Sequence, residues 1–184
     1  MKKLYFILFA CLYMFNGLNG FSQTLNGKWT ADKATTANFG LNEDKMKSSL
    51  FLSFDGKETV VSIELKVYEK GVGTVGVLFG MPGSYTQTGS MVNSKFRKND
   101  FSIKLSDMDL EDPELKGLME SNPEMKDMLF NTIFENYLSN DKDAIDDMKS
   151  ICDMFSSFKI VSCTADKLVI TIGNDTLTFK KSVN

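Results

Sequence analysis

The 184-residue chain contains no histidine. That absence removes the commonest general base and the commonest metal ligand together. Neither a Ser-His nor a Cys-His nucleophilic pair can be built. Carboxylates are plentiful, so a paired-carboxylate hydrolase is not excluded by composition, but they crowd into one segment where a solvated helical face accounts for them. The expectation is a protein that is not an enzyme and uses no cofactor. Cysteine is scarce: of three, Cys11 lies in the N-terminal apolar run, leaving Cys152 and Cys163. An oxidising compartment permits a disulfide between them, and the alternative is two buried thiols. Beyond the first residues no run approaches the ~18 apolar residues of a transmembrane helix. Basic clusters are short (Lys95-Phe96-Arg97-Lys98 and Lys180-Lys181) in an acidic chain, which argues against nucleic-acid binding.

What is present begins with an export signal. Lys2 and Lys3 precede an apolar stretch from Leu4 to Phe15, and Gly20-Phe21-Ser22 offers small residues for cleavage before Gln23. Residues 1–22 thus read as a signal peptide, and residues 23–184 as one exported domain, periplasmic or at the surface of a bacterium. The rival is lipidation at Cys11, which would leave a very short apolar stretch and retain Leu12-Tyr13-Met14-Phe15. Charge is segregated within the exported part. Residues 107–153 carry 14 acids against 4 lysines, and the rest of that part is net positive.

Strands announce themselves by alternation of period two. Val61, Ile63, Leu65 and Val67 share one face, as do Phe101, Ile103 and Leu105, and then Leu177 and Phe179. Turn residues such as Asp55-Gly56 and Gly173-Asn174-Asp175 separate the runs. About ten short strands are expected: Gly27–Ala31, Leu50–Phe54, Thr59–Tyr68, Thr74–Phe79, Ser84–Thr88, Met91–Phe96, Phe101–Ser106, Phe158–Cys163, Leu168–Ile172 and Thr176–Lys180. Helix signals concentrate in residues 107–155, where Asp112-Pro113 and Asn122-Pro123 each pair an N-cap with proline at the first helical position. A last helix places Ala144, Ile145, Met148, Ile151, Cys152 and Phe155 on one face. The middle helix, with Met125, Met128, Leu129, Phe130, Ile133 and Phe134, is apolar around most of its circumference.

At Gly27-Lys28-Trp29 the chain resembles bacterial lipocalin-like exported proteins, whose first strand carries a Gly-x-Trp signature. The C-terminal hairpins, ending in Lys180-Lys181, are also similar to that family's closing strands. The resemblance implies a mainly β fold: an antiparallel up-and-down barrel of about 8–10 strands, here with a helical insertion before the last three. It further implies an apolar interior able to hold a small hydrophobic molecule, Trp29 plugging the closed end, and Lys180 or Lys181 beside it.

Two metal patterns are incomplete. Asp107-x-Asp109-x-Glu111 opens like a calcium loop, but Asp112 stands where glycine is required and Leu118 where a bidentate glutamate is. Met125-x-x-Met128 presents two thioethers, which on a helix usually serve the core. Two functions therefore stand open. One is an apolar-ligand carrier lined by Val61, Ile63, Leu65, Phe101, Ile103, Met125, Leu129 and Ile133 under a Met-rich helical lid. The other is an interaction module that docks a basic protein or envelope partner on the acidic helices. Interior positions rich in Ile, Val, Leu and Phe equally suit a barrel filled with its own side chains.

Overall fold

The computed structural model describes residues 25–39, 46–71, 73–122 and 142–182, together with 124, 125, 128, 131 and 132. The expected signal peptide, Cys11, Asp141, and the lid residues Leu129 and Ile133 lie outside the described residues.

Among the described residues nine strands appear: β1 (Gly27–Ala31), β2 (Met46–Asp55), β3 (Glu58–Glu69), β4 (Gly73–Thr88), β5 (Met91–Phe96), β6 (Ser102–Leu110), β7 (Ser157–Cys163), β8 (Lys167–Ile172) and β9 (Asp175–Lys181). They form a closed antiparallel barrel of eight staves. Closure comes from β1, which pairs with β2 on one side and β9 on the other, Trp29 lying opposite Leu52 and Lys181.

Nine strands make eight staves because β5 and β6 run along the same edge of β4. Phe96 sits opposite Gly83, a 3-10 turn at Lys98–Asp100 intervenes, and Ser102 resumes opposite Gly80. The Arg97 amide donates to the Pro82 carbonyl across the interruption at 2.8 Å, keeping the two halves on one ladder. The expected strands Thr74–Phe79 and Ser84–Thr88 are likewise one element. Pro82 and the flanking glycines look like a turn in the sequence, yet β4 runs through them.

Among the described residues the barrel is accompanied by helices α1 (Lys33–Asn38), α2 (Pro113–Ser121) and α3 (Lys142–Met154), and residues 124, 125, 128, 131 and 132 are helical as well. The first was not expected. Asp32 caps it by accepting from the Thr35 amide at 2.8 Å, and the Thr178 amide donates to Thr35 Oγ1 at 2.9 Å, so α1 continues the β1 edge by side-chain bonds to β9. The helical insertion starts later than residue 107. Residues 107–110 belong to β6, paired with β4 past a register shift that leaves Ser106 as the extra residue.

The core is one cluster. Trp29, Leu52, Phe54, Val61, Met81, Phe158, Ile160, Leu168, Ile170, Leu177 and Phe179 fill the lower barrel. Helix α3 approaches β3 and β4, and it and the turn that follows it bring Cys152 and Phe155 into the cluster. Phe155 meets Phe39 at 5.6 Å and Phe179 at 6.4 Å between ring centroids. The expected apolar face of this helix is thus the face that packs, with Met148 and Ile151 at its margin. Among the described residues no helix is long and apolar enough to cross a membrane.

Candidate functional site

The closed end is built from Gly27, Trp29 and Lys181. Trp29 is fully buried, and its indole N–H donates to the Leu25 carbonyl at 2.7 Å, so burial leaves no polar atom unpaired. The Lys181 ammonium lies 4.8 Å from the indole centroid and donates to the Asn26 carbonyl at 2.7 Å. Gly27 makes this possible twice over. Its φ of 116° disfavours any side chain, and a Cβ there would lie 2.7 Å from the Lys181 Cε. Of the two lysines named from the sequence, Lys181 covers the ring. Lys180 points outward, opposite Thr30 and Lys167.

The upper end is different. Going up the inner wall, Val61 pairs with Met81; Ile63 with Phe79, which faces Ile103; Leu65 with Val77, which faces Leu105; and Val67 with Val75, which faces Met108. Val61 and Ile63 are buried in the packed floor, whereas Leu65 and Ile103 are only partly covered, and Val67 is 45% exposed. Four of the lining residues named from the sequence therefore share one surface across three adjacent staves. Phe101, just before β6, lies tilted against Phe79 at 6.2 Å between ring centroids, under the Lys149 ammonium of α3. Met125 is half-buried beyond α2.

Sequence reasoning missed the top of this wall, Val75, Met108 and Leu110. The inward direction of Met108 and Leu110 depends on the extra residue Ser106, which reverses the parity of β6, whereas Val75 follows Val77 and Phe79 in the alternation of β4. Between β6 and α2 lies a cleft of about 100 Å³ lined by Met108, Leu110, Lys116, Met119 and Glu120.

The carboxylates of the calcium-like stretch are spread among separate partners. Asp107 accepts from Lys66 at 2.7 Å and Asp109 from Lys116 at 2.7 Å. Glu111 takes the Tyr68 hydroxyl at 2.6 Å and the Gly71 amide at 2.9 Å. Together these bonds tie the β3–β4 hairpin and α2 to the end of β6.

Cys152 and Cys163 are both free thiols, so the bridge the sequence allowed is not formed. Cys152 faces the core from α3 and Cys163 sits at the far end of β7. Burial pushes the Cys152 thiol up to about 12, with the neighbouring Asp153 adding to the shift. Burial also raises Cys163, against the opposing pull of Lys181.

Comparison with protein-family models and with curated proteins finds no match for this chain.

Proposed function

We propose that this is a non-catalytic exported binding protein, lipocalin-like in type, that holds a small apolar ligand at the upper end of its barrel. The carrying observation is the inner wall of β3, β4 and β6. It continues apolar above the packed floor, from Leu65 through Val67, Val75 and Val77 to Met108 and Leu110, and none of these residues is fully buried. A solvated strand tip would normally turn polar on both faces. Thioethers at Met108 and Met119 adapt to varied apolar shapes. The cleft is smaller than the ~300–1,000 Å³ of drug-sized sites, which favours a small molecule or the end of an acyl chain. The signal-like N-terminus supports export.

The test is native mass spectrometry with solvent extraction of protein purified from its own host, followed by titration with a fluorescent apolar probe. A co-purifying apolar molecule and saturable probe binding, lost in Met108→Lys with the fold retained, are expected. An empty protein that binds no probe overturns the reading.

A second reading rests on α3, where Asp143, Asp146 and Asp147 are exposed and only Asp146 has a basic neighbour among the described residues, Lys149 at 3.7 Å. These acids suit a basic envelope partner whose association weakens with salt. Pull-downs that recover the same partners after neutralising Asp143, Asp146 and Asp147 would remove that reading.

A further inference from the structure

The β6 strand ends the order of the sheet, and among the described residues it pairs only with β4. Its other edge carries backbone N–H and C=O groups that template a further strand. Its side-chain pattern is complementary to itself when reversed. Ile103, Leu105, Met108 and Leu110 face inward, and Lys104 and Asp109 are exposed on the outer face.

We propose that β6 is a dimerisation edge, pairing antiparallel with β6 of a second copy of this chain so that Lys104 faces Asp109 of that copy. The same register sets Leu105 opposite Met108 and Ile103 opposite Leu110, apolar against apolar on the inner face. A two-fold axis then doubles every contact, as an isologous interface requires. The extra residue Ser106 is what allows this. Were Ser106 in regular alternation instead, Met108 and Leu110 would point to the face opposite Ile103 and Leu105, and the reversed register would set inward residues against outward ones.

Charges around the axis agree with the register. Asp107 lies nearest the two-fold, where its like-charged copy would repel it, and each Asp107 is already held by its own Lys66 at 2.7 Å. Lys104 has no ion-pair partner among the described residues, so the pairing supplies one. Asp109 brings Lys116 with it, at 2.7 Å, and becomes the centre of a Lys–Asp–Lys row. Charges and a bulge are also the devices by which edge strands avoid pairing, and a monomer would assign them that role.

The experiment is sedimentation of the purified protein over a concentration series, with Lys104→Asp and Asp109→Lys prepared separately. The unaltered chain should dimerise, with slowed amide exchange along residues 102–110. Each reversal sets two like-charged pairs across the axis and should raise the dissociation constant at least about tenfold. Mixed in equal amounts, the two variants should restore the dimer, because each reversed residue then faces its opposite. A monomeric unaltered chain overturns the proposal. So do variants that dimerise undiminished, or a mixture no better than its components.

Discussion

Trp29 is among the largest fully buried side chains of the described residues. It closes the lower barrel, donates to Leu25 at 2.7 Å and supports the Lys181 ammonium at 4.8 Å. Trp29→Ala should cost ~3–5 kcal/mol through the cavity it leaves, measured by denaturant unfolding. Emission from this only tryptophan should be blue-shifted and resistant to acrylamide; free-indole emission would contradict its burial. Lys181→Ala should lower the melting temperature measurably, and Lys180→Ala should leave it nearly unchanged. The sequence made Trp29 legible, since Gly-x-Trp pairs a large ring with a neighbour lacking a side chain. It left the lysine ambiguous, because adjacent strand residues point to opposite faces and one step of register exchanges them. At Cys152 the sign follows from linkage. Its folded value of about 12 lies above the ordinary 9.0, so the folded state holds the proton more tightly. The resulting stability is fully present below pH 9.0 and is lost as pH rises toward 12. Stability of the unaltered chain should therefore fall more steeply over that window than that of Cys152→Ala. At pH 8 iodoacetamide should label Cys163 well before Cys152, and equal labelling would place Cys152 outside the core.

Among the elements, the upper ends of β3, β4 and β6 are held by bonds at their shared tip rather than by core burial. Glu111 receives both the Tyr68 hydroxyl and the Gly71 amide. Glu111→Ala should leave global unfolding almost unmoved, since these groups are exposed, while faster amide exchange appears in residues 66–75. Unchanged exchange there would show that the hairpin tip stands without this latch. Most strands were legible because one buried face imposes alternation. The exceptions have local causes. The unbroken β4 was hidden by Gly80-Met81-Pro82-Gly83, a turn-like run that the barrel's bend uses instead. The end of β6 was hidden because Asp107, Asp109 and Glu111 precede the Asp112-Pro113 cap and look like an acidic first turn. Helix α1 is six residues long with no apolar stripe, so only its hydrogen bonds to Thr178 reveal it.

At the scale of the whole molecule, segregated charge and barrel closure are the governing features. The acidic insertion was visible in composition, whereas the continuity of the upper wall was not, because it joins residues from β3, β4 and β6 that only the closed sheet brings together. Closure also makes the barrel cooperative. The last strand, β9, bonds to β8 along Asp175–Lys180 and to β1 at Phe179–Lys181, so it joins the two ends of the chain. It also contributes Leu177 and Phe179 to the core and Lys181 to the indole. Losing each of these two apolar side chains costs ~2–5 kcal/mol. Losing both ladders besides brings the loss to the scale of the ~5–15 kcal/mol that holds a typical domain. A chain ending at Gly173 should therefore show no cooperative thermal transition by circular dichroism and no near-ultraviolet signal from Trp29. Adding a synthetic peptide of residues 174–184 should restore both, because it supplies in one continuous strand the ladders to β8 and β1 that close the barrel. A truncated chain that melts sharply on its own would mean that β8 and β1 close the barrel directly, and that the β9 stave is dispensable.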